Sequence, residues 1–385
     1  MKAGKMKTLA TLAVCIVLAG LVFAPGAFAK DTYKIGGIFS VTGGASFLGA
    51  PEKMSMQMVV DQINAAGGID GHMLEAVIYD TKGDPTEAVN FANKLINKDR
   101  VLAIVGPSTT PTTMAVIPLC VRARLPLISC AAGNGIVNPI QPYVFKTAQS
   151  DIQAVATIYA YMKEQGMKKI AILCVDNGFG ASGAVQLREQ AAKFGLEVVS
   201  DESYGGKDTD MTAQLTKARK AAPDALVCWG TNPGPAVVAK NAQQLKLDFP
   251  LFMSHGVASP KFIDIAGDAC EGIMLPTGAV LIADTLAADY HQKAALDKYI
   301  SDYKNAYNAG VSGFGGYAYD AMKILEIALK GTNGDKAKIR DNIEAIQGYI
   351  GVTGTFNFSP TEHNGLGADS FLMVEIADGT WKVMK

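Results

Sequence analysis

From Tyr33 onward the sequence alternates short β-rich runs with longer helical patterns, and after Lys146 the same rhythm starts again. Few architectures accept such a pattern. Consecutive apolar strands separated by helices have to lie parallel in one sheet, with both faces covered. The first series predicts strands over 33–39, 74–79, 101–105 and 127–129, with helices over 49–66, 85–98 and 111–124. The second predicts strands over 169–175, 196–200, 225–229 and 251–254, with helices over 151–165, 180–194, 212–221 and 236–245. Three further helices over 288–308, 317–330 and 335–345 and short strands over 354–358, 370–375 and 381–384 complete the two units rather than form a third. The expected fold is α/β, two doubly wound parallel-sheet lobes between which the chain crosses more than once.

Local signals place the helix starts. Asp84 with Pro85 reads as N-cap and first helical position, Thr110 with Pro111 likewise, and Asp151 as the cap of the helix that follows it.

Length and charge narrow the function. At 385 residues with 49% hydrophobic side chains, the chain is too long for one core and too apolar for disorder. Lys+Arg of 35 against Asp+Glu of 36 gives a net charge of −1, which argues against nucleic acid as a partner. Part of the apolar excess belongs to a leader: Lys2, Lys5 and Lys7 precede an uncharged stretch over 9–23, and Ala27-Phe28-Ala29 supplies the small residues that a signal peptidase reads. Cleavage is expected after Ala29, giving a soluble exported chain of 356 residues with 32 basic and 36 acidic side chains. A retained anchor fits less well, since the apolar run is short for a spanning helix. A lipoprotein fits less well too, because Val14 precedes Cys15 where a lipobox needs a small residue. The other five cysteines, Cys120, Cys130, Cys174, Cys228 and Cys270, have no C-x-x-C spacing and read as buried thiols rather than a disulfide framework or a metal site.

Ligands of parallel sheets bind beyond the carboxyl ends of the strands. Here those loops are 40–49, 106–111, 129–135, 176–180, 230–235 and 254–258, rich in Gly, Ser, Thr and Asn and nearly free of acids and bases. That is a polar binding cleft rather than a catalytic one. At Gly106-Pro107-Ser108-Thr109-Thr110-Pro111 a ligand carboxylate would meet a hydroxyl, free backbone N–H groups and the positive end of a helix dipole. Thr110 serving only its own helix is the bland alternative. Phe47, Phe179 and Trp229 could stack on a ligand or belong to the core. His255 is isolated, and the four histidines are too scattered for a metal site. The run Gly178-Phe179-Gly180-Ala181-Ser182-Gly183 lacks the spacing of a nucleophile elbow, and no phosphate-binding P-loop occurs.

The order and spacing of several segments resemble those of one family. They are Lys34-Ile35-Gly36-Gly37-Ile38-Phe39-Ser40 with Thr42-Gly43, Ile63-Asn64-Ala65-Ala66-Gly67-Gly68-Ile69-Asp70-Gly71, Tyr79-Asp80 with Asp84-Pro85, and Ala103-Ile104-Val105-Gly106-Pro107. Later come Pro126-Leu127-Ile128-Ser129, Asn177-Gly178-Phe179-Gly180, Phe249-Pro250 and Tyr317-Ala318-Tyr319-Asp320-Ala321. From about Tyr33 to its end the chain resembles the leucine/isoleucine/valine-binding type of periplasmic solute-binding proteins, which feed ABC importers. The resemblance implies a type I, Venus-flytrap architecture with three hinge crossovers, lobe 1 comprising 31–148 with 278–360 and lobe 2 comprising 149–277 with 361–385. It implies a periplasmic monomer that uses no cofactor or metal, performs no catalysis, and hands a small-molecule ligand to inner-membrane permease subunits.

By motif, Thr110 matches the family's hydroxyl for the ligand carboxylate, with Ser108 in the same loop. Ala131 and Gly133 match a segment that offers backbone groups and, in relatives, a hydroxyl. Phe179 takes the place of a second-lobe aromatic, Leu48 or Phe47 that of a first-lobe aromatic, and Thr231 or Asn232 falls in the following loop. His255 stands where the amino-acid binders have an acid for the α-ammonium. Two departures follow: Gly133 has no hydroxyl, and His255 cannot neutralise an ammonium as a carboxylate does. An uncompensated buried ammonium costs several kcal/mol, which favours a carboxylate without an α-amino group, aromatic acids included, over leucine, with an amino acid as the other ligand class. Gly83 and Thr109 stand where some relatives have a disulfide, which is therefore expected to be absent. The rivals are a sensor subunit that presents its ligand to a receptor, and a secreted hydrolase, for which no nucleophile with a base is visible.

Overall fold

The computed structural model describes residues 30–384, so the expected leader and its cleavage site lie outside the described residues. The first unit runs β1 (Tyr33–Phe39), α1 (Ser46–Ala65), β2 (Leu74–Asp80), α2 (Pro85–Lys94), β3 (Ala103–Val105), α3 (Thr110–Arg122), β4 (Leu127–Ser129) and β5 (Val144–Lys146). The second runs α4 (Asp151–Glu164), β6 (Lys169–Val175), α5 (Gly178–Ala191), β7 (Glu197–Tyr204), α6 (Thr212–Lys220), β8 (Ala225–Trp229), α7 (Gly234–Gln244), β9 (Leu251–Met253), α8 (Pro260–Ala266) and β10 (Met274–Thr277). The chain then returns with α9 (Lys293–Tyr307), α10 (Gly313–Ala328), α11 (Lys336–Glu344) and a hairpin of β11 (Tyr349–Ile350) and β12 (Thr355–Phe356). It ends with β13 (Leu372–Ala377) and β14 (Thr380–Val383).

Two sheets result. The first is all parallel in the order β2-β1-β3-β4-β5. The second has the order β14-β13-β10-β9-β8-β6-β7, in which β10 to β7 are parallel while β13 and β14 add antiparallel at one edge. The parallel-sheet lobe expected from the alternation is present, with two antiparallel strands added at its edge. Its last two strands arrive from the far lobe without a helix between them and are joined at Asp378-Gly379, both with positive φ (56° and 66°), the conformation of a two-residue hairpin turn.

The strands read as continuous apolar runs because both faces are buried. In β6, Ala171, Leu173 and Val175 face one core while Ile170, Ile172 and Cys174 face the other, and β8 divides in the same way. In β1, Ile35 and Phe39 face one core and Ile38 the opposite one. Helix α10 packs in the first lobe's core beside α1, and Ser55 of α1 meets Tyr299 of α9 across a 2.8 Å hydroxyl pair.

The chain passes between sheets three times: after β5, after β10 and before β13. The last passage falls later than the expected boundary at 361. His363 hydrogen-bonds the Val144 carbonyl, Asn364 donates to the Ala148 carbonyl, and Leu366 belongs to the first core. Alternation did not reveal β5 and β10, each of three or four residues, because the stretches that follow them cross between lobes instead of forming the next helix of the same sheet.

Helix starts are resolved by the caps. Asp84 caps α2 as expected, its carboxylate accepting from Thr86 N–H (2.6 Å) and Glu87 N–H (3.1 Å). The cap of α3, however, is Thr109 rather than Thr110. Thr109 is extended (φ −121°, ψ 151°) and paired with Thr112 in a capping box, so Thr110 is already the first helical residue. Likewise Ser150, not Asp151, caps α4. All five cysteines among the described residues are free and buried, and none of the described helices is long and apolar enough to cross a membrane.

Candidate functional site

The loops after β1, β3 and β4 in one lobe and after β6, β8 and β9 in the other converge on a cavity of about 260 Å³. Its walls are therefore strand ends and helix N-termini, which present backbone dipoles rather than long side chains. The lobes touch across it: Asn134 N–H of the first donates to Ser182 Oγ of the second at 3.1 Å.

Of the residues singled out by sequence, Leu48, Ser108, Thr110, Ala131, Phe179, Thr231 and His255 line this cavity. Three do not. Phe47 turns away to pack edge-on against Phe314, ring centres 5.6 Å apart. Asn232 is 7% exposed, outside the cavity wall, its amide without a partner among the described residues. Gly133 lies behind Thr110, donating its N–H to Thr110 Oγ1 at 3.2 Å.

That bond makes Thr110 the best-placed donor in the site. Its oxygen accepts from Gly133, which leaves the hydroxyl proton to point elsewhere, and its own N–H has no partner among the described residues. The glycine is required here: a Cβ on residue 133 would stand 2.5 Å from Thr110 Cγ2 and 2.9 Å from its Oγ1. The missing hydroxyl at 133 is thus the steric counterpart of the close Thr110 approach.

Other expected donors are committed internally. Ala131 N–H donates to Ser129 Oγ at 3.1 Å. Ser108 Oγ accepts from Ser40 N–H at 3.0 Å and donates to the carboxyl of Glu52, so its hydroxyl proton is taken. Glu52, on α1 and fully buried, was not legible as a site neighbour; burial pushes its carboxyl well above the usual range, against the opposing Ser108 hydrogen bond.

On the second lobe Asn177 caps α5, its Oδ1 accepting from Phe179 N–H (2.9 Å) and Gly180 N–H (3.1 Å), which fixes the Phe179 ring over the cavity. The glycine run of this loop is a packing device: a Cβ on Gly183 would fall 2.1 Å from Trp229 Nε1. Trp229 itself is fully buried in the core.

His255 is 3% exposed and sits in an aromatic cage, its ring 5.6 Å from Phe179, 5.7 Å from Trp229 and 5.2 Å from Phe371. Burial, then the nearby Lys146 charge, lowers its pKa to about 3, so the ring is neutral at physiological pH. Phe314 and Tyr317, from the returning helix α10, complete the aromatic wall. Neither was assigned a site role from sequence, although Tyr317 opens one of the motifs; nothing local says that a helix some 200 residues downstream folds back onto the first lobe. Lys82, also unforeseen, is among the described residues the one Lys or Arg that lines the cavity, and none of them brings a carboxylate to its wall. No cluster of metal-ligating side chains occurs among the described residues.

The chain matches the family model described as periplasmic binding protein over residues 32–380. It is 29% identical over 348 residues to the leucine-, isoleucine-, valine-, threonine- and alanine-binding protein of Pseudomonas aeruginosa, covering 90% of each chain. To the Leu/Ile/Val-binding protein of Escherichia coli it is 26% identical, over 88% of this chain and 89% of that one. Among solved structures, an extracellular ligand-binding receptor from Rhodopseudomonas palustris superposes with TM-score 0.85 at 27% identity, over 92% of this chain and 99% of that one. The branched-chain amino acid transporter substrate-binding protein LivJ of Streptococcus pneumoniae, solved with isoleucine, superposes with TM-score 0.81 at 29% identity over the same shares.

Proposed function

The chain belongs to the periplasmic binding protein family, and from that premise we propose that it captures a small carboxylate lacking an α-ammonium and delivers it to an inner-membrane ABC permease. The family is one of solute binders, and the protein is not an enzyme. The relatives' names, together with the expected leader, support a periplasmic protein working as the substrate-binding component of an importer of the branched-chain amino acid type.

One observation carries the choice of ligand. The cavity that holds Thr110 and the α3 N-terminus at its carboxylate end has no acidic side chain among the described residues of its wall, while its amine end is a neutral His255 in an aromatic cage. An ammonium there would meet no counter-charge, and an anion would meet Lys82 and a helix dipole instead. The aromatic lining of Phe179, Phe314 and Tyr317 suits an apolar or aromatic body. Amino-acid binding, the activity named for the relatives, is the second reading.

Titration calorimetry on the mature protein separates them. Benzoate-like or aliphatic acids are expected to bind at micromolar Kd or tighter, and Thr110→Val to weaken them about tenfold or more, the cost of one charge-assisted hydrogen bond. Micromolar or tighter binding of leucine overturns the proposal. Loss of uptake of the same acid on gene deletion favours transport over presentation to a sensor.

A further inference from the structure

Adjoining the main cavity at His255 is a smaller one of about 10 Å³, the room for a single water-sized group. His255, Phe314 and Tyr317 line both, so the two adjoin along these three side chains. Gln149, Thr277, Gly278 and Phe371 of its wall come from or adjoin all three passages between the lobes.

Its polar groups are unusual for a buried place. Gln149, fully buried, donates its Nε2 to the Thr353 carbonyl at 3.0 Å and the Ser370 carbonyl at 3.1 Å. A flipped amide would set oxygen against both carbonyls, so the orientation is fixed. Gln149 Oε1 is left buried with no partner among the described residues, and so are both ring nitrogens of His255. Orphaned buried acceptors are costly and call for a donor.

The structure assigns this pocket, formed by Gln149 and His255 at the hinge end of the cleft, as a subsite for a hydroxyl at the far end of the ligand. Gln149 Oε1 only accepts; a neutral imidazole offers one donor and one acceptor. A hydroxyl both donates and accepts and matches the pair. A second carboxylate would oppose the Gln149 oxygen, a methyl group would leave it unpaired, and an ammonium would find no acid to pair with and the Lys146 charge nearby. This inference rests on the carboxylate reading above and narrows it: an acid bound at Thr110 and packed on Phe179 and Tyr317 carries its hydroxyl to the hinge, where occupancy bridges segments from both lobes.

The test compares matched pairs by calorimetry on the mature protein: benzoate with 4-hydroxybenzoate, and hexanoate with 6-hydroxyhexanoate. In at least one pair the hydroxylated acid is expected to bind at least tenfold tighter. Gln149→Met and His255→Phe are each expected to reduce that ratio below threefold. Equal binding within threefold in both wild-type pairs overturns the subsite, as does a ratio that survives both substitutions. Because Gln149 also ties the hinge, the wild-type pairs alone decide if Gln149→Met does not fold. Plain acids that bind without hydroxyl preference sink the subsite only, whereas leucine binding with none of the four acids bound sinks the carboxylate reading and the subsite with it.

Discussion

Thr110 and Gly133 stand 23 positions apart, yet each explains the other: the threonine hydroxyl is oriented by the glycine N–H, and the glycine exists because the threonine methyl fills the space of a Cβ. At this scale His255 has a consequence for acid stability. Its folded pKa of about 3 lies below the ordinary 6.5, so between those values the unfolded chain takes up a proton that the folded chain refuses. Stability therefore falls as pH drops from 6.5 towards 3, by up to about 1.4 kcal/mol per pH unit from this group. His255→Phe keeps the cage filled and removes that proton uptake. Urea unfolding across this range is expected to show a shallower acid decline for the variant than for the wild type; equal slopes would refute a buried neutral ring.

The elements illustrate how far local chemistry carries. The Asp84-Pro85 start of α2 was legible because a carboxylate cap acts within one turn. The starts of α3 and α4 were each displaced by one residue, because Thr109 and Ser150 are as competent as Thr110 and Asp151 and only the extended backbone chooses between them. A longer link joins α10 to the loop after β11. Asp320, fully buried, accepts from Val352 N–H at 3.0 Å, Thr353 N–H at 2.9 Å and Thr353 Oγ1 at 2.5 Å. Asp320→Ala strands those donors away from water and is expected to destabilise the protein by about 3 kcal/mol in urea unfolding. A loss under 1 kcal/mol would show that the loop finds other partners.

At the scale of the whole molecule, the described residues include contacts that cross the cleft from one lobe to the other. Asn134 N–H to Ser182 Oγ crosses between lobes, and Gly178 lies beside Pro111, where a Cβ would stand in ordinary contact 3.6 Å from the ring. Closure is then a balance in which the ligand's contacts with both lobes decide the population. Ser182→Ala removes a contact made only when the lobes meet. It is expected to weaken acid binding about threefold to tenfold, the worth of one ordinary hydrogen bond, while leaving the unfolding midpoint of the ligand-free protein within error. Unchanged affinity would mean that closure does not use this contact.

The sequence by itself determined the two α/β units and their strand-end loops nearly free of acids and bases, because hydrophobic period, caps and composition act over a few residues. It also carried Thr110 and Phe179 to the cavity through motifs of known order. Only the tertiary structure decided that α10 brings Phe314 and Tyr317 from the returning chain, that Glu52 occupies the Ser108 hydroxyl, and that Gln149, in the wall of the hinge pocket, keeps an oxygen without a partner among the described residues. Those facts depend on which distant segments meet, and on which hydrogen bonds remain once the nearer partners have been taken.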